Sequence, residues 1–149
     1  MNRNTKILLI VGLVLLLLIL AVILYFLFKK EKLDFKPLKN RNRADYCLEA
    51  GSGDKVLMNN CSDIDGQKLA LDKKDRLVFK NNKCLDINRD NIVFQAECND
   101  KESQKWISNN EEYKSKENTS KCLDLHGGDN VTVLTWDCHG GLNQKWYWD

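Results

Sequence analysis

The hydrophobic pattern changes character once along the chain. From Ile7 to Phe28, 22 residues pass without a charge, and only Gly12 and Tyr25 depart from aliphatic or Phe character. As a helix at about 1.5 Å per residue, this run spans roughly 33 Å, enough for a hydrocarbon core of about 30 Å. It has no polar face, which a helix packed on a globular surface would need. A cleavable signal peptide is the rival reading. It wants a shorter apolar region and small residues at a cleavage site, whereas this run ends in Tyr25, Phe26, Leu27 and Phe28 followed by Lys29 and Lys30. The pattern predicts an uncleaved signal-anchor helix over 7–28, after a short tail at 1–6.

Beyond residue 36 the period shortens. Short alternating runs such as Arg76–Lys80, Asn91–Gln95 and Val131–Thr135 are separated by Asn, Asp, Gly and Lys. Alternation between turn residues predicts strands. No amphipathic helix of useful length is expected there.

A repeat organises these strands. The first unit has Cys47-Leu48-Glu49, Cys61 and Gln67-Lys68-Leu69. The second has Cys84-Leu85-Asp86, Cys98 and Gln104-Lys105-Trp106, and the third Cys122-Leu123-Asp124, Cys138 and Gln144-Lys145-Trp146. Cysteines within a unit are 14, 14 and 16 apart, the second cysteine precedes the Gln by six in every unit, and successive units are offset by 37 and 38. Self-similarity at a fixed period marks a repeat architecture. Three all-β units of this length predict a closed pseudo-threefold domain over 37–149, with repeats at about 37–72, 73–110 and 111–149.

Cys-Leu-Asp combined with Gln-x-Trp, three times over, resembles the ricin B-type (R-type) lectin domain, an all-β β-trefoil. The resemblance covers about residues 35–149. It implies disulfides Cys47–Cys61, Cys84–Cys98 and Cys122–Cys138, each worth roughly 3 kcal/mol in the chain-entropy model. It also implies that Trp106 and Trp146 enter a shared core, where a Trp buries about 150–250 Å², with Leu69 in that place in the first repeat.

The same resemblance implies a sugar site in each repeat that keeps the parts: an Asp after Cys-Leu, an aromatic platform two places before the second Cys, and an Asn before the Gln. A carboxylate accepts charge-assisted bonds from adjacent hydroxyls, a ring face covers the C–H side of a pyranose, and a carboxamide both donates and accepts. The third repeat has Asp124, Trp136 and Asn143, with Gln144 beside them, His139 between platform and Asn, and Leu134 at the rim. The alternative places Trp136 in the core and Asp124 in a turn, but Trp146 already supplies the core ring. The second repeat keeps Asp86 but has Ala96 and Ser103; the first has Glu49, Asn59 and Gly66. Both are expected to be scaffold. The family most often recognises galactose or N-acetylgalactosamine, so a glycan of that type is the expected partner.

Charge sharpens the picture. Lys29 to Arg43 carries seven bases against Glu31 and Asp34, so residues 29–36 form a basic stalk, either a stop-transfer flank or an anionic-lipid contact. Ala44 to Asp149 holds 14 bases and 19 acids, which gives no support to nucleic-acid binding. All six cysteines lie in this part, an even count that predicts a disulfide framework. Without Cys-x-x-Cys, zinc and thioredoxin-like chemistry are not expected. No nucleophile motif, acid/base pair or metal cluster appears, so neither an enzyme nor a cofactor is expected. His126, beside the Gly127-Gly128-Asp129 turn, is expected at the surface. Asn118-Thr119-Ser120, Asn130-Val131-Thr132 and Asn60-Cys61-Ser62 match the glycosylation sequon; the disulfide at Cys61 weighs against the last, and a glycan on Asn130 would cover the site.

Topology draws two opposed arguments. Disulfides place the C-terminal domain on the exoplasmic side, while only Arg3 and Lys6 precede the apolar run and seven bases follow it, the reverse of the positive-inside rule. Three spacing-matched cysteine pairs outweigh the charge bias. A large DNA virus, whose disulfides form outside the secretory route, would reconcile the two, and an Asn/Lys/Ile-rich chain with Pro37 as its single proline suits an AT-rich genome. The sequence thus predicts a membrane-anchored lectin for attachment or adhesion, clustered in its membrane. The alternative is a membrane or virion component using a trefoil as a protein-binding scaffold.

Overall fold

The computed structural model describes residues 2–28 and 32–149. The chain divides into two compact units, Met1–Lys32 and Leu33–Asp149. In the first, α1 runs Arg3–Phe28 and so begins inside the expected N-terminal tail. Its aliphatic side chains from Ile7 to Phe26 are exposed, and the span Arg3–Phe26 is long and apolar enough to cross a membrane. Residues 29–31 of the basic stalk lie outside the described residues.

The second unit has twelve strands, four per repeat: β1 Lys36–Asn40, β2 Arg43–Ala50, β3 Val56–Asn60 and β4 Lys68–Leu71; β5 Leu77–Phe79, β6 Lys83–Ile87, β7 Val93–Glu97 and β8 Trp106–Asn109; β9 Glu112–Ser115, β10 Lys121–Leu125, β11 Val133–Asp137 and β12 Trp146–Trp148. Two of these begin two residues later than the alternating runs predicted. Asn91 and Asn130 hold φ of 63° and 53°, a left-handed turn geometry that Asn tolerates, so β7 and β11 start only after the turn.

Six strands close a ring. β1 pairs with β4 and β12, β4 with β5, and β8 with β9. The remaining seams are the Trp106 N–H to the Asp75 carbonyl and the Trp146 N–H to the Glu111 carbonyl, both 2.8 Å. The other six strands form three hairpins, β2–β3, β6–β7 and β10–β11. They meet around the threefold axis through matched bonds: the N–H groups of Met58, Gln95 and Thr135 donate to the carbonyls of Val131, Asp54 and Asn91 at 2.9, 2.8 and 2.8 Å. Each donor stands three residues before its unit's second cysteine and each acceptor seven before. The repeat in sequence is therefore a repeat in hydrogen bonding. This is a β-trefoil.

Leu38, Leu48, Leu69, Phe79, Leu85, Leu123, Trp106 and Trp146 pack in one core. The buried indole N–H groups need acceptors and find them in the carbonyls of Leu85, at 3.4 Å, and Leu123, at 2.9 Å. The three disulfides join Cys47 to Cys61, Cys84 to Cys98 and Cys122 to Cys138, and each stitches the hairpin's first strand to the chain leaving its second.

Candidate functional site

In every hairpin the register sets the same two pairs. The residue after Cys-Leu lies across from the residue four before the second cysteine: Glu49 with Leu57, Asp86 with Phe94, Asp124 with Leu134. The first cysteine lies across from the platform position: Cys47 with Asn59, Cys84 with Ala96, Cys122 with Trp136. Since side chains alternate along a strand, Asp124, Leu134 and Trp136 share one face of β10–β11. There they line a depression of about 230 Å³ together with His126, Gly127, His139 and Asn143.

Burial separates their roles. Trp136 is 57% exposed while Asp124 is 3% exposed: the ring lies open and the carboxylate sits at the floor. Oδ2 of Asp124 accepts from Gln144 Nε2 at 2.6 Å, and Oδ1 accepts from Asn143 Nδ2 at 2.9 Å. Gln144 is fully buried beneath the carboxylate; its own Oε1 accepts from the His139 N–H at 2.8 Å. Gln144 thus lies outside the lining and fixes two residues that belong to it. The amine of Lys121 stands 5.7 Å from the Trp136 ring centroid and pairs with Asp137 at 3.0 Å.

The chain's two histidines both line this depression, each beginning a His-Gly-Gly segment. Nδ1 of His126 accepts from the Gly128 N–H at 3.3 Å, and Nδ1 of His139 accepts from the Gly141 N–H at 3.2 Å. An accepting Nδ1 leaves the proton of a neutral ring on Nε2. For His139, Nε2 stands 3.5 Å from Asp124 Oδ2. The glycines permit this closeness: a Cβ on Gly141 would lie 2.7 Å from both His139 Cε1 and Asn143 Oδ1, and one on Gly128 would lie 2.8 Å from His126 Cε1. From the sequence alone His126 reads as a surface residue beside a turn. It is exposed and also forms one rim of the depression. The doubled His-Gly-Gly was the available signal.

Behind His126, Asp129 ties the turn. Its carboxyl is held far below the usual carboxylate range, first by the Thr132 hydroxyl and then by the N–H groups of Val131 and Thr132. Of the sequon residues, Asn118 is exposed and its Oδ1 accepts from Ser120, while Asn130 lies in this turn, half-buried, with Oδ1 3.4 Å from Asn42 Nδ2.

The first two repeats keep the floor and lack the walls. Gln67 donates to Glu49 at 2.7 Å and Gln104 to Asp86 at 2.8 Å, but Asn59 and Ala96 offer no ring. Among the described residues no group of three or more His, Cys, Asp or Glu is placed to hold a metal.

A β-trefoil whose hairpins each set an acid over a buried Gln, with Gln-x-Trp in two of three repeats, defines a class of lectin domains. The family model for the ricin-type β-trefoil lectin domain matches residues 35–146, so the chain belongs to that family. Its fold is similar to the Vibrio vulnificus hemolysin/cytolysin β-trefoil lectin with N-acetyl-D-lactosamine bound (TM-score 0.69, 22% identity, 79% of this chain and 95% of that one). It is also similar to the C-half of the earthworm R-type lectin in complex with GalNAc (TM-score 0.68, 17% identity, 77% and 97%). A third likeness is a non-toxic type II RIP homologue from Momordica charantia, bitter gourd, in complex with α-methyl-D-galactoside (TM-score 0.69, 19% identity, 78% and 48%). A search of curated protein sequences finds no match.

Proposed function

We propose that this chain is a membrane-anchored lectin that binds a galactose-type glycan through its third repeat and serves attachment or adhesion, without catalysis or cofactor. The observation that carries the reading is the pairing of an open Trp136 ring with a buried, prepositioned Asp124 carboxylate in one depression. A pyranose stacked on the ring presents its hydroxyls to Asp124, Asn143 and His139, while Leu134 closes one side. Lectin structures of the same fold hold N-acetyl-D-lactosamine, GalNAc and α-methyl-D-galactoside, which supports the galactose class.

The apolar α1 and the disulfide-paired domain support a single-pass protein with an exoplasmic C-terminal part. One shallow site binds weakly: a millimolar Kd corresponds to about −4 kcal/mol. Copies clustered by their anchors gain avidity without new contacts.

The test is a glycan array probed with the full chain in nanodiscs, beside Asp124→Ala and Trp136→Ala. Galactose-terminated glycans are expected to bind the parent and neither variant. Binding that survives both substitutions overturns the site, and no binding to any glycan favours a protein-binding scaffold.

A further inference from the structure

A polar cleft lies elsewhere, between the second and third repeats. We propose that it is a second binding site, for an acidic saccharide, and that it works independently of the Asp124–Trp136 depression.

The cleft encloses about 510 Å³, within the range of roughly 300–1,000 Å³ usual for small-molecule sites; the Trp136 depression, at about 230 Å³, falls below it. One wall comes from the second repeat, with Arg89, Lys101 and Ser103, and the other from the third, with Ser115, Glu117 and Lys121. The site therefore exists only where two repeats meet, and neither repeat motif encodes it alone.

A local substitution opens the space. In the third repeat Asn143 occupies the position before the Gln and donates to Asp124. The second repeat has Ser103 there, a shorter side chain, and Oδ1 of Asp86 instead accepts from the Ile87 N–H at 2.7 Å. The volume that an Asn side chain would fill is left to the cleft, with Ser103 buried at its wall.

The lining selects the ligand class. Three bases face one acid. Lys121 is engaged by Asp137, whereas Arg89 and Lys101 make no ion pair among the described residues and are exposed. In a region of net acidic charge, two uncommitted cations at one cleft mark a place for an anion, and a guanidinium suits a carboxylate or sulfate. Apart from Ile87, the remaining lining is hydroxyl and amide: Ser103 and Ser115 are buried, and Asn88, Asn91, Asn118 and Thr135 complete it. Such groups complement a polyhydroxylated ring. No aromatic side chain lines the cleft, so a neutral sugar would find no stacking face and a nucleobase no platform. Charge-assisted bonds must supply the affinity, which requires the sugar to be acidic.

The test uses the isotope-labelled full chain in nanodiscs of zwitterionic lipid, titrated with glucuronic acid and N-acetylneuraminic acid, with glucose and inorganic sulfate as controls. Amide shifts are expected at Arg89, Lys101, Ser103 and Ser115 with the acidic sugars and not with glucose. The double variant Arg89→Ala/Lys101→Ala should weaken binding on the order of tenfold, as loss of charge-assisted bonds implies, and Trp136→Ala should leave it unchanged. Three results overturn the proposal: no shift localised to the cleft, equal binding of inorganic sulfate, or loss of the acidic-sugar response in Trp136→Ala. That last result would assign the acidic sugar to the third-repeat depression, so failure here and failure of the lectin site are distinguishable.

Discussion

Gln144 donates to the Asp124 carboxylate at 2.6 Å from a fully buried position, and the equivalent bonds from Gln67 to Glu49 and from Gln104 to Asp86 measure 2.7 and 2.8 Å. The bond recurs in two repeats that have no aromatic platform. Its first role is therefore structural, fastening the loop before the last strand of each repeat to its hairpin. An acid after Cys-Leu is therefore common to all three repeats, and the exposed Trp136 ring is what sets the third apart. Gln144→Ala leaves a buried carboxylate short of a donor and should cost about 1–3 kcal/mol of stability, with loss of sugar binding. Gln67→Ala should cost a similar amount in chemical unfolding while sugar binding persists. Equal loss of binding in both variants would show that the bond acts only through global stability.

On the proposed site, Trp136 and Trp146 separate binding from folding. Trp136→Ala removes an exposed ring and should change stability by no more than about 0.5 kcal/mol, while weakening galactose binding about tenfold, the scale of a lost aromatic contact. Trp146→Ala empties the core and removes the donor to the Leu123 carbonyl, at a cost of about 3–5 kcal/mol. Titration and thermal unfolding of each variant check the split.

The fold was legible because its constraints are local in sequence. Cys-Leu-Asp, the second cysteine and Gln-x-Trp sit at nearly fixed spacing, and each performs the same job three times. β7 and β11 start two residues later than alternation predicts, since alternation cannot show that Asn91 and Asn130 turn left-handed first. The family pattern names Trp136, Asp124 and Asn143 as candidate site residues, and the fold brings all three to one depression. The pattern does not name His126: it reaches the depression from the β10–β11 loop, and no periodicity reports a loop's path. The cleft between repeats was hidden for a related reason, because its two walls come from chain segments that only the closed trefoil brings together.

The paired His-Gly-Gly segments lead to a steric prediction. Gly141→Ala places a methyl 2.7 Å from His139 Cε1 and Asn143 Oδ1, so one of these side chains must move. Galactose binding should fall severalfold with the fold intact. Gly127→Ala, where an added Cβ meets nothing within 4 Å, should bind nearly as the parent does. Indistinguishable affinities would remove His139 and Asn143 from the site.

Asp129 gives a prediction in pH. Its folded-state pKa is lowered by the Thr132 hydroxyl and two backbone N–H groups. A depressed pKa contributes stability that is present above the ordinary Asp value, about 3.9, and is lost as pH falls through the folded value. The turn behind His126 should therefore stay intact at acidities that protonate ordinary surface carboxylates. Carbon-detected titration should place the Asp129 midpoint below the ordinary Asp value, and Thr132→Val should raise it. A midpoint near the ordinary value in the parent chain would mean the turn is not held this way in solution.

The second repeat should accept a sugar site by two substitutions. Asp86 is already held by Gln104 and lies across from Phe94 as Asp124 lies across from Leu134. Of acid, platform and carboxamide, only the platform and the carboxamide are missing. Ala96, across from Cys84 and half-buried, stands where Trp136 stands, and Ser103 where Asn143 does. Ala96→Trp with Ser103→Asn should therefore raise the galactose stoichiometry from one to two per chain, read by calorimetry on the nanodisc-embedded protein. Adding Asp86→Ala should return it to one. The same Ser103→Asn refills the volume left to the cleft between repeats and should weaken acidic-sugar binding there. A stoichiometry that stays at one in the double variant would mean that the third repeat's His-Gly-Gly rims, absent from the second, are as necessary as the ring.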